Sequence, residues 1–180
     1  MAAGNELLHA TKILKDAGLK PGMQVADFGI GRSGHFSLAA SQIVGEKGSV
    51  YAIDIVPELL KMLSGRCAIE GRGNVETLWA DFEEFCGVPI RPRTLDMVLA
   101  IHLVWCINDF NAMAAEARRL LGAGGKFVVL DWYPESNHPA APPKEKRMGQ
   151  TEAHRKLLEV GFSKVSELKA SDNHWSLVAS

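Results

Sequence analysis

The sequence is poor in cysteine, in aromatic residues and in unbroken apolar runs. Its three cysteines, Cys67, Cys86 and Cys106, are widely spaced in a chain of 180 residues. An odd number at that spacing makes no disulfide framework, CxxC metal knuckle or dithiol redox motif, so the thiols read as reduced and structural. No apolar run approaches the ~20 residues of a membrane helix. Met1 to Lys12 carries polar residues throughout its length and lacks a signal-peptide core. A cytoplasmic protein without a membrane span is expected. Net charge is also missing: 20 Lys and Arg against 21 Asp and Glu leave −1. A whole-molecule field for nucleic acid or an anionic membrane is therefore not indicated. The local clusters Arg91/Arg93 and Lys144/Lys146/Arg147 read as solvated loops. Nothing in the sequence bears on oligomeric state.

What the chain does have is apolar content, 47% of its residues, enough for one domain over residues 1–180. Leu7, Ala10, Leu14 and Ala17 share one helical face, which Gly18 and Pro21-Gly22 terminate. Met23 to Asp27 is a short buried strand, followed by glycine-rich sequence and a helical stretch from Phe36 to Val44. Ser49 to Asp54 is a second strand, and Pro57 opens a third helix, where its missing N–H costs nothing. Further strands are expected at Val75 to Trp79, Leu95 to Ile101 and Lys126 to Asp131. Between the last two lies a helix with Met113, Ala117, Leu120 and Leu121 inward, ended by Gly122, Gly124 and Gly125.

Strict alternation of strand and helix requires a parallel sheet wrapped by helices, because parallel strands need crossover connections. The end of the chain departs from this pattern. A helix from Thr151 to Val160 precedes strands at Phe162 to Leu168 and His174 to Ala179. Lys169 to Asn173 is too short for a crossover, so these two strands form an antiparallel hairpin at the sheet edge. The expectation is an α/β, Rossmann-like, doubly wound sheet of seven strands. Residues 133–149, rich in proline and charge, form the one long irregular segment, either an acceptor-side lid or a surface connector.

The chemistry concentrates after the first strand. Asp27-Phe-Gly29-Ile-Gly31-Arg-Ser33-Gly34 leads into the helix that begins near Phe36. Such glycines permit a tight turn against which a ligand can lie, and the helix N-terminus offers free N–H groups. Asp54 closes the second strand, 20 residues beyond Gly34, where a carboxylate can accept both hydroxyls of a ribose. With Ile55 beside it, the pattern describes a nucleoside site. The literal Gly29, Gly31, Gly34 spacing also fits a dinucleotide fingerprint. Three features favour S-adenosylmethionine (SAM) over NAD(P). Asp27 would repel a pyrophosphate but suit a cationic sulfonium ligand. The hairpin breaks the parallel pattern. Asp81 and Phe82 follow the third strand, where the acid can meet an adenine amine.

Several segments together resemble the class I SAM-dependent methyltransferases, in particular small ubiquinone-biosynthesis-like members. Lys20-Pro-Gly-Met-Gln-Val-Ala-Asp-Phe-Gly-Ile-Gly is similar to the family's first motif. Val50-Tyr-Ala-Ile-Asp54 resembles its acidic motif, and Ala80-Asp81 its adenine-binding one. Leu95 to Ile101 resembles its fourth strand, and Leu120-Leu-Gly-Ala-Gly-Gly-Lys-Phe its turn into the fifth. The likeness runs from about Lys20 to Asp131. One departure stands out: Arg32-Ser33 lengthens the glycine loop, so the third glycine position falls on either Ser33 or Gly34.

The resemblance implies SAM as cofactor, bound by Asp27, Gly29, Gly31, Ser33, Gly34, Phe36, Asp54, Ile55, Asp81, Phe82 and Ala100. It also implies that Ala100 to His102 line the methionine end. His102 is then either a general base or a wall residue. Trp105, Trp132 and Tyr133 are either acceptor-pocket walls or packing. No Asn/Asp-Pro-Pro-Tyr segment, Pro-Cys nucleophile, catalytic triad or metal cluster is present, which leaves a small organic acceptor as the expected substrate. The alternatives are an NAD(P)-dependent oxidoreductase and a non-catalytic SAM- or partner-binding domain.

Overall fold

The computed structural model describes residues 8–180; Leu7 lies outside them. The chain runs α1 (Ala10–Ala17), β1 (Gln24–Phe28), α2 (His35–Val44), β2 (Ser49–Asp54), α3 (Pro57–Glu70), β3 (Val75–Trp79) and β4 (Leu95–Ile101). It continues through α4 (Phe110–Leu120), β5 (Leu121–Trp132), a 3-10 turn (Lys144–Lys146), α5 (Gln150–Val160), β6 (Val165–Glu167) and β7 (His174–Ala179). The seven strands form one sheet in the order β3-β2-β1-β4-β5-β7-β6. β1 to β5 are parallel, while β7 pairs antiparallel with both β5 and β6. This is the doubly wound architecture with a C-terminal hairpin that the sequence implies.

Both faces of the sheet are covered, and β4 shows why its sequence is almost wholly apolar. Met97, Leu99 and Ile101 face a core built with Ile13 and Leu14 of α1 and Phe36, Ala40 and Val44 of α2. Val98 and Ala100 face the opposite core, with Met113 and Ala117 of α4, Leu157 of α5 and Trp175 of β7. A strand buried on both faces cannot alternate apolar with polar. α3 packs its Leu60 and Leu63 beside Ala52, Ile30 and Leu38.

Two elements differ from expectation. Leu121 does not end the helix but begins β5, pairing with Leu95 before the register jumps to Met97 opposite Lys126. Gly122 to Gly125 are therefore a bulge within the strand, the extra residues being accommodated on one strand only. β6 is three residues long. Phe162, which the sequence places in that strand, instead buries its ring against Phe127, 5.8 Å between centroids.

The winding reverses between β1 and β4. The chain proceeds outward from β1 to β2 and β3, then returns to the other side of β1. At such a switch point the loops leaving the carboxyl ends diverge and leave a crevice. Asp27 and Phe28 at the end of β1 pair with Leu99 and Ala100 near the end of β4, so both flanking loops open onto that crevice.

Candidate active site

A cavity of about 460 Å³ occupies the crevice. Asp27, Gly29, Gly31, Ser33 and Phe36 line it from the β1 side, and His102, Trp105 and Trp132 from the β4 and β5 side. Ala140, Pro142 and Pro143 bring the 133–149 segment over it.

Asp27 is 2% exposed. The helix α2 turns Ser37 back beneath the glycine loop, and its hydroxyl donates to Asp27 Oδ2 at 2.5 Å. Burial dominates the electrostatics and pushes the Asp27 carboxyl up to about 7. The Ser37 bond opposes the rise, and the nearby Asp54 adds to it. Among the residues lining the cavity there is no Lys or Arg. A buried acid without a cationic partner suits a ligand that brings its own positive charge.

The glycine loop is shaped by two different needs. Gly29 has φ +68°, and a Cβ there would lie 2.5 Å from Leu103. Gly31 has φ +62° and nothing within 4 Å of its Cβ position, so a side chain there would meet only what enters the cavity. Gly34 is also left-handed, but a Cβ on it would strike Leu63 at 2.5 Å. It seats the start of α2 against α3 and is not a wall of the cavity; Ser33 is.

The remaining cofactor candidates lie along the same edge of the sheet, outside that cavity lining. Asp54 is 6% exposed, and its Oδ1 accepts the Val56 N–H at 3.0 Å. Trp79 pairs with Asp54 in register and donates its indole N–H to the Ile55 carbonyl. Ile55 and Asp81 are exposed, and Asp81 accepts the Glu83 N–H at 2.8 Å. Phe82 is buried, stacked on Phe28 at 4.9 Å. Ala100 is wholly buried.

His102 follows β4 in a left-handed backbone conformation, φ 54°. Its N–H reaches the Leu130 carbonyl, and its carbonyl accepts the Trp105 indole N–H at 2.9 Å. Asp131, 2% exposed, holds the following turn by accepting the Val104 N–H at 2.8 Å. The ring lies over Trp132, 5.2 Å between centroids. Burial pushes the His102 imidazole down to about 4, so it is neutral near pH 7, the form a base requires.

The 133–149 segment is tied down as a strap over the cavity. Arg147, read from the sequence as solvated, is half-buried. Its guanidinium donates to the carbonyls of Pro142 (2.6 Å), Ser136 (2.6 Å) and Pro134 (3.2 Å). Ser136 in turn donates to Asn173 at 2.8 Å. Ser37, Arg147 and Asp131 are not singled out by the sequence, because each acts through contacts that residue spacing does not reveal. His174, buried at the first residue of β7, is not singled out by the sequence either, because a strand boundary carries no sign of burial.

The buried acid, glycine turn, switch-point crevice and antiparallel hairpin define a nucleoside-dependent transferase fold. Residues 26–129 match the methyltransferase domain family, more than half of the chain, and the chain belongs to that family. It is similar to a SAM-dependent methyltransferase from Aquifex aeolicus, with a TM-score of 0.90 and 27% identity over 99% of this chain and 93% of that one. The ubiquinone/menaquinone biosynthesis C-methyltransferase UbiE of Shewanella piezotolerans is 32% identical over 122 residues, 66% of this chain. The match spans 46% of that relative: the chain covers just under half the length of the curated proteins it resembles. An arsenic(III) S-adenosylmethionine methyltransferase from Chlamydomonas reinhardtii shares the fold, with a TM-score of 0.75 and 22% identity over 90% of this chain and 64% of that one. The family's cofactor is SAM, and the unpaired acid at Asp27 fits it. The nicotinamide alternative is not favoured. Among the described residues no group of three or more His, Cys, Asp or Glu is arranged to hold a metal, and no helix is long and apolar enough to cross a membrane.

Proposed function

We propose that the chain is a single-domain enzyme that transfers the methyl group of SAM to a small organic acceptor held beneath the strap. The observation that carries this reading is the continuity of one cavity, from the buried Asp27 and its glycine turn to a wall of His102, Trp105 and Trp132. SAM supplies an activated methyl on a sulfonium, so the protein's work is alignment and exclusion of water.

In this reading Asp27 receives the cationic methionine end, against the backbone of Gly29 and Gly31. Ser33, Gly34 and Phe36 fix the loop and the helix start. Asp54 accepts the ribose hydroxyls, Ile55 and Phe82 flank the adenine, and Asp81 accepts its amine. Ala100 backs the β4 end from the core. His102, neutral in its buried setting, takes the acceptor's proton. The proline-bearing strap limits the freedom lost on closing and keeps bulk water from the reacting centre. A cytoplasmic setting belongs to the same proposal, supported by three unpaired thiols.

Thermal shift with SAM, S-adenosylhomocysteine and NAD(P) tests the ligand first. At ~100 times its dissociation constant the right ligand adds ~2.7 kcal/mol, a rise of roughly 5–10 °C for a chain of this size. A response to NAD(P) alone overturns the proposal. Methyl-labelled SAM with hydroquinone, phenol and amine acceptors then tests transfer. Hydroquinones come first because the Shewanella relative is named for C-methylation in quinone biosynthesis. SAM binding with no labelled product in any class would leave a binding domain.

A further inference from the structure

Behind His102 lies a second histidine. His174 sits directly opposite Trp132 in the β5–β7 register and is 1% exposed. Its ring is 4.7 Å from that of His102 and 4.0 Å from that of Trp132, centroid to centroid. Its Nδ1 pairs with the Ser171 hydroxyl at 2.7 Å. Its Nε2 is buried with no hydrogen-bond partner, and so is the Nε2 of His102. Buried polar atoms are rarely left unmet, and two in adjoining rings of one aromatic cluster is an arrangement that packing alone does not require.

The two rings also connect different spaces. His102 and Trp132 line the cavity of the candidate active site. His174 lines another, of about 570 Å³, behind the hairpin, with Tyr133, Gln150, Glu167, Lys169 and Ser171. The charged and titratable groups around the pair are few. His138 of the strap stacks on Trp132 at 5.4 Å, and Glu167, Lys169 and Asp172 stand on the rim of the second cavity. Asp131 turns its carboxylate to the Val104 and Trp132 N–H groups.

We propose that His174 is a positioning residue for methyl transfer, completing a two-histidine path by which the acceptor's proton leaves His102 for the cavity behind the hairpin. The inference rests on the reading above, in which the acceptor meets His102. As the acceptor's bond to the methyl group forms, its bond to hydrogen breaks. His102 takes that proton and passes it to His174 Nε2, directly or through one water. His174 releases the proton on Nδ1 through the Ser171 hydroxyl to water. The positive charge of the sulfonium thus leaves as a proton, by a route that does not open the strap. Burial, and the positive charge that His102 and His138 would add, hold His174 down to about 3, so neither imidazole retains the proton.

The test is ¹⁵N NMR of the imidazole rings with S-adenosylhomocysteine bound, in the wild type, His174→Gln and Ser171→Ala. The wild-type rings should titrate as a coupled pair. In His174→Gln the His102 transition should become a single step and move up by about half a pH unit or more. Ser171→Ala keeps the ring but removes its partner, and should change the His174 tautomer population. With a hydroquinone acceptor, His174→Gln should lose at least about tenfold in kcat with KM for SAM unchanged, and added imidazole should restore it. An unchanged His102 titration in a folded His174→Gln protein overturns the path. So does an unchanged kcat and pH profile in that variant. Failure of the wild type to bind S-adenosylhomocysteine instead overturns the methyltransferase reading, and the two failures are separate.

Discussion

In the proposed site, Asp27 ties cofactor binding to pH. Its carboxyl is held up to about 7 by burial, whereas a cationic methionine end requires the ionised form. Binding must then release a proton wherever the free protein carries one. With a midpoint near 7, roughly one tenth of the carboxyls are ionised at pH 6 and roughly nine tenths at pH 8. SAM affinity should therefore rise about tenfold across that interval, worth about 1.4 kcal/mol. Calorimetry in two buffers of different ionisation enthalpy should read about 0.9 proton released at pH 6 and about 0.1 at pH 8. Asp27→Asn should abolish both signals and bind weakly throughout.

The same shift acts on folding. Between the ordinary carboxylate value of 3.8 and about 7, the folded chain holds a proton that the unfolded chain has lost. Stability of the free protein therefore falls as pH rises through that window. Asp27→Asn should recover roughly 2–4 kcal/mol of it at pH 8. Affinity that is flat from pH 6 to 8, with no proton released, would refute the assignment of Asp27 to the cationic end.

Three other perturbations separate the parts of the site. Asp54→Ala should weaken SAM binding by ~2–4 kcal/mol, roughly 30- to 1000-fold, with little change in thermal midpoint; unchanged calorimetric affinity removes Asp54 from the ribose. Gly31→Val should abolish cofactor binding in a protein that still folds, because its Cβ meets no protein atom within 4 Å. The left-handed backbone should cost it about 1–2 kcal/mol in denaturant unfolding, and normal SAM affinity in this variant would divorce the glycine turn from the cofactor. Replacing Glu135 to Lys146 by a short Gly/Ser linker removes the strap that Arg147 gathers. Methyl transfer should then fall sharply while SAM affinity survives; equal turnover makes the strap a connector, and lost SAM affinity puts it over the cofactor.

The order and type of the elements were legible because this sequence punctuates itself. β2, β3, β4 and β7 lie where their apolar and β-branched residues place them, Asp54 closes β2, and Asp27 is the penultimate residue of β1. Legibility failed where a pattern had two physical outcomes. Gly122 to Gly125 reads equally as a helix stop or as a bulge, and only pairing with Leu95 decides between them. Arg147 within a basic run looks solvated, but the strap folds its carbonyls around it. Periodicity reports which face a residue occupies and not what it meets there. That is why Asp27 stands out as a candidate in the sequence and Ser37, ten residues on, does not.

The position of β7 bears on how the protein is made. It is the last strand in order, yet it lies inside the sheet, between β5 and β6. A ribosome that has released residues only as far as β6 displays β5 with its edge open, and Trp132 without the residue that backs it. The final pairing joins Phe127 to Ala179, a long-range closure of the kind that comes late and slowly. Until it occurs the nascent chain offers an unpaired strand to its neighbours. Assembly of the Trp132 wall of the cavity and protection from aggregation are thus a single event, set by when the region from His174 to Ala179 clears the exit tunnel.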